Sequence, residues 1–519
     1  MERAAHRPVL GSGARLVTGT MEQSEHDVTH GSEGALRFAG AVVDLTPPAG
    51  TRLAGYLARG DAVATGTHDP LQAIIVWLRD PRPDGGQVVW VAIDALAVDA
   101  DQAGAIAGAV GAALGCDPSD VLVCATHTHS APAGWNLGLR GIHPALQEPG
   151  DEGMRHAVVT AVAATAARLL RSDRPVRVIS AEGRATDVGS NRTDPAGPHD
   201  PSVGVLGLVS PCGRVTGVLV DYACHATVLG HANLQWSADW PGAARRTLAA
   251  ALMGIAPFAA GDAASSSSRD RAATLASSAA GDLDSAPIVA VVQGAAGDAS
   301  ARFVRRNQTF GEVDRLGGLL SAHALTALFE GRPHLDVTPR IVVRHERLEL
   351  STRPLPSPAD ARRDAHDTEV AWRRVAELEG PGPLERVART RHEGALLLAA
   401  VAEHGLPPRV EVPITVVALG DLAFVHMPVE LFASFGLAIR AASPFARTRV
   451  VGYTDGYFGY VADAAAHTAG VYEASASLFD AEGGARLVDA AVELLQRAHA
   501  EVHAQPCTSP DAQGTRGRP

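Results

Sequence analysis

The spacing of apolar and polar residues along the chain switches repeatedly between patterns typical of strands and patterns typical of helices. Apolar runs ended by turn residues predict a strand from Leu36 and a hairpin within residues 74–98, where PRPDGG separates two apolar runs. Residues 101–114 place small and apolar side chains at helical spacing, and the run VLVCA from Val121 predicts a further strand. Strand, helix and strand in succession predict an α/β fold with a central mixed β-sheet core flanked by helices.

The same alternation continues towards the C-terminus. Helical spacing covers residues 154–170, strands recur at VRVIS, VGVLGLV and VTGVLVDYAC, and residues 358–404 have the pattern of a helical hairpin. Residues 409–432 alternate with period 2 about a Gly-Asp turn and then lead into a helix. No internal repeat is visible, so we expect one domain over residues 36–502.

Three segments lack this periodicity. We expect residues 1–35 and 503–519 to be disordered tails, and residues 262–285, rich in Ser, Ala, Asp and Gly, to be a flexible insertion. The first tail lacks the apolar centre of roughly 7 to 15 residues that a secretory signal peptide needs. The five cysteines show no C-x-x-C spacing. Reduced thiols and a cytoplasmic location are therefore expected.

Composition narrows the classes of partner. Hydrophobic residues make up 46% and charged residues 20% of the 519 positions, which is typical of a globular protein. A formal net charge of -12 argues against affinity for nucleic acid or anionic lipid. No apolar run reaches the roughly 18 to 20 residues of a bilayer span. We expect a small-molecule partner, no nucleic acid and no stable membrane anchoring, and the oligomeric state stays open.

Several familiar catalytic motifs are missing from the sequence, namely H-E-x-x-H, G-x-S-x-G, G-x-x-x-x-G-K-[ST] and G-x-G-x-x-G. Polar clusters instead follow the predicted strands, where active-site loops commonly lie. These clusters are THTHS (126–130), SNRT (190–193), DYACHAT (221–227), QGAAGDAS (293–300), HMPVE (426–430) and DGYFGYV (455–461).

The first cluster raises the question of metal binding. In an extended segment, residues two apart point to the same side, so His127 and His129 can share a metal, or one can bind it while the other moves protons. Each cluster also has an ordinary explanation. The pair can be hydrogen-bonded loop histidines, His225 a structural residue, Glu430 a partner of a helix N-terminus, and Arg192 a surface ion-pair partner.

Taken together and in order, the clusters resemble the motifs of the neutral/alkaline ceramidase family over residues 36–500. The family's G-T-H-T-H-S-[GA]-P-G-G is present as ATHTHSAPAG, N-R-S as NRT, V-H-P-T as CHAT, N-A-G-D-V-S-P-N as AAGDASAR, P-G-E as PVE, and N-A-Y-x-x-Y-V with R-Y-E-[GA]-[AS]-S as DGYFGYV with VYEASAS. The resemblance implies the ceramidase catalytic fold and a hydrolase that cleaves the linear amide of an N-acylated small molecule.

Carried over residue by residue, the resemblance implies one zinc ion per chain, held by His127, His225, Glu430 and Tyr460. Two imidazoles and one carboxylate are a usual set of ligands for catalytic zinc. A tyrosine is a less usual ligand, because its phenol must lose a proton to coordinate. His129 then suits general acid/base catalysis, with a pKa near the working pH.

The resemblance also implies roles at the substrate. Arg192 and Tyr472 would polarise the carbonyl and stabilise the oxyanion. Ser300 matches a serine that is read either as a nucleophile or as a ligand for the substrate hydroxyl, and we favour the second role because zinc can activate water. Asp298, in the same motif, is expected to bind substrate.

Two departures from the family put a ceramide substrate in doubt. Ala301 and Arg302 replace the P-N that follows the serine, and ceramide-cleaving members carry a further C-terminal β-sandwich domain and usually a secretion signal. If residues 300–302 are extended, Arg302 faces the same cavity as Ser300 and binds an anionic substrate. A surface ion pair is the ordinary alternative for this arginine.

Two other functions remain open from the sequence. One is an ester or amide hydrolase, or an acyltransferase, that acts on a specialised metabolite. The other is a noncatalytic homologue that binds a small molecule in the same pocket.

Overall fold

The computed structural model describes residues 35–136, 150–256, 258, 286–331, 338–380 and 382–504. The strands are β1 Leu36–Asp44, β2 Gly66–Thr67, β3 Gln72–Arg79, β4 Gln87–Ile93, β5 Val121–Ala125, β6 Arg174–Arg184, β7 Ser190–Asn191, β8 Ser202–Val209, β9 Val215–Tyr222, β10 Gln235–Trp236, β11 Ile288–Gln293, β12 Ala299–Ser300, β13 Ile341–Ser351, β14 Arg409–Leu419, β15 Leu422–His426, β16 Glu430–Leu431, β17 Arg447–Val451 and β18 Tyr460–Val461. The helices are α1 Ala100–Leu114, α2 Glu152–Leu169, α3 Asp239–Met253, α4 Phe310–Glu330, α5 Pro358–Glu379, α6 Pro383–His404, α7 Ala433–Ala442, α8 Ala464–Ala469, α9 Tyr472–Ser475 and α10 Ala481–Val502.

Eight of these strands form one mixed sheet in the order β11-β9-β8-β6-β1-β3-β4-β5. The pairs β4–β5 and β9–β11 are parallel, and the other five pairs are antiparallel. A second sheet has the order β13-β14-β15-β17. The predicted α/β fold with a central mixed sheet is therefore confirmed, and the second sheet is an addition that the sequence patterns did not indicate.

The two sheets pack face to face through a shared apolar core. The rings of Trp90 on β4 and Phe424 on β15 lie 5.7 Å apart, and Trp90 Nε1 donates a hydrogen bond to His426 Nε2 at 3.3 Å. Helices α1 to α4 cover the outer face of the large sheet, and α7 and α10 cover that of the small one. The result is four layers, helices on both outer faces of two packed sheets.

Most of the predicted elements are found close to their expected bounds. The antiparallel hairpin β3–β4, helices α1 and α2, and the hairpin of α5 and α6 all form. Strands β14 and β15 pair across Gly420 and Asp421, and Gly420 has φ +58°, which favours glycine. The predicted insertion 262–285 lies outside the described residues, as do the predicted tails apart from residue 35 and residues 503–504.

Two further expectations concern membranes and thiols. Among the helices that the structure describes, none is long and apolar enough to cross a bilayer. The four cysteines within the described ranges are free thiols; they are Cys116, Cys124, Cys212 and Cys224.

The large sheet brings its two edges together at one end. Strands β5 and β11 are its opposite edges, yet Gln293 at the end of β11 donates from Nε2 to the backbone oxygen of Thr126, just after β5, at 2.9 Å. After β9, the backbone N–H of His225 donates to the oxygen of Ala299 at 2.9 Å. The loops that follow three strands thus converge, and they carry the polar clusters of the sequence.

Candidate metal and catalytic site

Three histidines from these loops aim their side-chain nitrogens at a common point. His127, His129 and His225 offer ligand atoms that all lie within 4.8 Å of one another. Nε2 of His129 is 3.4 Å from Nε2 of His127, and Nε2 of His225 is buried without a hydrogen-bond partner. A buried nitrogen without a partner costs free energy unless something binds it. The three imidazoles therefore form a possible metal site.

The backbone fixes the orientation of all three rings. Each Nδ1 lies within hydrogen-bond distance of a carbonyl oxygen, and the pairs are His127 with Leu96 at 2.6 Å, His129 with Gly55 at 2.8 Å and His225 with Ala296 at 2.7 Å. Because a carbonyl can only accept, each Nδ1 carries a proton, and in a neutral ring the lone pair is on Nε2. Such hydrogen bonds to the second ring nitrogen are typical of histidines that bind metals.

Burial keeps His129 and His225 neutral. It lowers the pKa of His225 to about 3, with Arg192 and His127 adding to the effect. Burial, followed by His127 and His225, also lowers the pKa of His129 well below its usual value. The expected pKa of His129 near working pH is therefore not found in this environment, because the ring is enclosed beside two other imidazoles. Neutral imidazole is the form that binds a metal.

Glu430 adds a carboxylate to the same point. Its Oε2 lies 3.0 Å from Nε2 of His225 and 3.3 Å from Nε2 of His127. The hydroxyl of Tyr457 donates to Oε1 at 2.5 Å and that of Tyr453 to Oε2 at 3.4 Å. Two hydroxyl donors thus hold the carboxylate in one orientation.

Tyr460, the predicted fourth ligand, borders this group. It pairs with Glu430 across β16 and β18, and its ring stacks on that of His225 with centroids 6.4 Å apart. The guanidinium carbon of Arg192 lies 5.3 Å from the same ring. Burial raises the pKa of Tyr460 well above its usual value. Coordination by this tyrosine would therefore need a bound cation to displace its proton.

Arg192 and Tyr472, the predicted oxyanion residues, lie beside Tyr460. The ring of Tyr472 meets that of Tyr460 edge-on at 6.0 Å. Nε of Arg192 is 2.5 Å from Oε1 of Glu473, in an ion pair without hydrogen-bond alignment, and Nη2 of Arg192 is buried with no hydrogen-bond partner. Sequence reasoning missed Glu473, although an acid directly after a predicted site tyrosine was the available signal. The arrangement leaves one buried donor of Arg192 unused.

Asp298 holds the Arg192 loop in place. Its Oδ2 accepts from Nδ2 of Asn191 at 2.8 Å, its Oδ1 accepts from the backbone N–H of Ala433 at 2.7 Å, and its carbonyl accepts from the N–H of Arg192 at 2.7 Å. Burial raises the pKa of this carboxyl to about 6. The expected substrate contact of Asp298 does not match this geometry, because both side-chain oxygens already accept hydrogen bonds from the chain.

Ser300 lies in β12 and forms an isolated bridge with His225. The strand ends at Ser300, and the backbone N–H of Arg302 donates to the Ser300 hydroxyl oxygen at 3.2 Å. The extended geometry expected for residues 300–302 is therefore wrong, since a turn begins here. Arg302 still reaches the site, because its Nη1 donates to the carbonyl of Arg192 at 3.0 Å.

Backbone geometry next to the histidines is unusual. His127 has φ +60°, in a region that residues with side chains rarely adopt. Gly55 has φ +96°, and a Cβ there would lie 2.6 Å from Nδ1 of His129. Such strain concentrates at functional sites and needs support from the surrounding structure. Part of that support is the buried ion pair of Asp94 and Arg245, since Asp94 Oδ1 also accepts from the Thr126 hydroxyl at 3.1 Å.

No protein-family model and no curated protein sequence gives a significant match to the chain. Solved structures do match. The neutral ceramidase from Pseudomonas aeruginosa aligns with TM-score 0.64 and 19% identity over 90% of this chain and 75% of that one. A structure described as "Ceramidase complexed with C2" aligns with TM-score 0.64 and 17% identity over the same shares. The fold that the motifs implied is confirmed, and this chain has the fold of the neutral ceramidases.

Proposed function

We propose that the protein is a zinc-dependent hydrolase that cleaves the linear amide bond of an N-acylated small molecule, ceramide-like or another N-acyl amine. The observation that carries the proposal is the convergence of three histidine Nε2 atoms and one carboxylate at a buried point. The fold shared with neutral ceramidases supports the same reaction class.

The donor set fits zinc. His127, His225 and Glu430 supply two nitrogens and one oxygen, which is a common set for catalytic zinc, and either His129 or Tyr460 can complete it. The unpartnered Nε2 of His225 is the atom that most needs a cation. When bound, zinc would polarise the amide carbonyl and lower the pKa of water.

The side chains around the donors supply the remaining chemistry. Because Nδ1 of His129 is occupied by the Gly55 carbonyl, its Nε2 accepts the proton of the attacking water and passes it to the leaving amine. The buried Nη2 of Arg192 and the hydroxyl of Tyr472 donate hydrogen bonds to the developing oxyanion. Ser300 holds a polar group of the substrate rather than acting as the nucleophile.

The experiment that tests this function is a substrate panel. Purified protein loaded with zinc is incubated with N-acyl amines, N-acyl amino acids and N-acyl sphingoid bases, and mass spectrometry measures release of the fatty acid and the amine. We expect equimolar release from at least one class, loss of release with a chelator, and recovery with added zinc. Absence of release from every class by the zinc-loaded protein would contradict the proposal.

A further inference from the structure

Three arginines next to the candidate site bond to backbone carbonyls rather than to carboxylates within the part of the chain that the structure describes. Nη1 of Arg59 donates to the oxygen of His129 at 2.9 Å, and Nη1 of Arg302 donates to that of Arg192 at 3.0 Å. Nη1 of Arg305 donates to the oxygen of Thr227. Each guanidinium thus rests on a segment that carries a predicted site residue. We call Arg59, Arg302 and Arg305 the cationic rim.

The rim is partly removed from water. Arg59 is 6% exposed, and its Nη2 is buried with no hydrogen-bond partner. Arg302 and Arg305 are half-buried. Burial lowers the pKa of all three arginines, and Arg386 on α6 is close enough to lower the pKa of Arg302 and Arg305 further. Burying cations without anions costs free energy, so this arrangement favours any ligand that brings a negative charge.

Glu473 acts on Arg302 and Asp239 acts on Arg305, and both carboxylates are already engaged. Asp239 accepts from the backbone N–H groups of Val228, Leu229 and Trp240. Glu473 forms the ion pair with Nε of Arg192. Glu430 faces His127 and His225 and accepts from two tyrosine hydroxyls. A bound divalent cation would engage Glu430 further and add more positive charge. The rim is therefore a locally positive region, although the whole chain carries a formal net charge of -12.

We propose that the cationic rim binds an anionic group of the substrate, so that the preferred substrate is an N-acyl amine with a carboxylate or phosphate close to the amide. The substrate class rests on the hydrolase function proposed above. A guanidinium presents its donors as a planar fork that matches both carboxylate and phosphate. A neutral substrate would leave the buried Nη2 of Arg59 unpaired.

Binding to the metal-free protein tests the rim without turnover and without direct contact between the anion and zinc. The probes are N-octanoylglycine, N-octanoylphosphoethanolamine and the neutral N-octanoylglycinamide, measured by calorimetry at low salt. We expect wild-type protein to bind at least one anionic probe about tenfold more tightly than the amide. Added salt should reduce that ratio. The first two probes also distinguish a carboxylate from a phosphate.

Variants assign the preference to the rim. Arg302→Gln and Arg305→Gln should each weaken binding of the anionic probe about tenfold and binding of the amide less than about twofold. Arg302→Lys keeps the charge and should retain most of the preference. The matched control is Arg347→Gln, because Arg347 is an exposed arginine on β13 paired with Glu411. Thermal unfolding of each variant checks that it folds.

The outcomes separate the two proposals. Equal binding of the three probes by wild-type protein, or equal losses for anionic and neutral probes in the variants, would overturn the anionic substrate. A rim-dependent preference without hydrolysis of any probe by zinc-loaded protein would keep the anion site and reject the hydrolase. Hydrolysis of N-octanoylglycinamide without any preference for the anionic probes would support the hydrolase and reject the anion site.

Discussion

Gln293 joins the two edges of the large sheet, because its Nε2 donates to the carbonyl of Thr126 at 2.9 Å. Its Oε1 also accepts from the backbone N–H of Cys224 at 3.4 Å. One buried amide thus connects the loop that holds His127 to the loop that holds His225. The distance between the two predicted ligands depends on this side chain.

Replacing this amide should therefore affect both stability and metal binding. We expect Gln293→Ala to lower the free energy of unfolding by about 1–3 kcal/mol, because it leaves a buried carbonyl without its donor. Metal affinity should fall about tenfold, as for other groups that orient ligands. Denaturant unfolding and a zinc competition assay measure the two effects. Gln496→Ala, on the exposed side of α10, is the control, and equal behaviour of both variants would contradict the linking role.

Two histidine variants separate metal binding from proton transfer. His225→Ala should remove both bound zinc and activity. His129→Ala should keep zinc within a few-fold of wild-type affinity and lower turnover by about 10²- to 10⁴-fold. Elemental analysis and the hydrolysis rate give the two readings. Loss of zinc in His129→Ala would instead make His129 a ligand, in the three-histidine arrangement that the ring geometry also allows.

Gly55 should be needed for activity because a side chain there would displace His129. Gly55→Ala would place Cβ 2.6 Å from Nδ1 of that ring. Gly50 has almost the same φ, +99° against +96°, but a Cβ there would meet nothing within 4 Å beyond its chain neighbours, so Gly50→Ala is the matched control for backbone strain. Backbone strain should lower the stability of both variants by about 1 kcal/mol, and the contact with His129 should lower that of Gly55→Ala further. Only Gly55→Ala should lose activity, and similar kinetics for the two would remove the steric argument.

Asp455 should make the protein less stable as the pH rises towards neutrality. Burial raises the pKa of this carboxyl from 3.8 to about 7, although the backbone N–H of Val123 donates to its Oδ1 at 2.7 Å. The folded protein therefore holds a proton that the unfolded chain releases. The free energy of unfolding falls as the pH rises from about 4 to about 7, and it is flat with respect to this group above that range.

The neutral variant Asp455→Asn keeps the oxygen that accepts from Val123 and tolerates the observed φ of +57°. We expect it to be more stable than wild type at pH 8 by on the order of 4 kcal/mol, with the advantage shrinking towards pH 4. Denaturant unfolding at several pH values measures this difference. Asp61→Asn, at a 95% exposed side chain, is the control. A constant difference between Asp455→Asn and wild type at all pH values would contradict the raised pKa.

The parts of the fold that follow from local pattern could be predicted from the sequence. Helix α1 has helical spacing, and Asp99 caps it by accepting from the backbone N–H of Gln102. The pairing of the two sheets could not be predicted, because the contact of Trp90 with Phe424 joins residues more than 300 positions apart.

The same distinction holds at the site. His127, His225 and Glu430 follow from the motif order, and the structure brings them together. The backbone carbonyl of Leu96 orients His127. The sequence could not identify it, because every residue has a backbone carbonyl and only the fold brings this one to the ring. Arg302 was expected from an extended segment that does not form, yet its side chain reaches the site from a turn.

The measurement that tests the central claim most directly is a titration of zinc into metal-free protein while the hydrolysis rate of an N-acyl amine is followed. The account predicts that the rate rises in proportion to zinc, stops rising at one equivalent per chain, and does not rise in His225→Ala. A rate that is independent of added zinc, or the same response in His225→Ala, would contradict it.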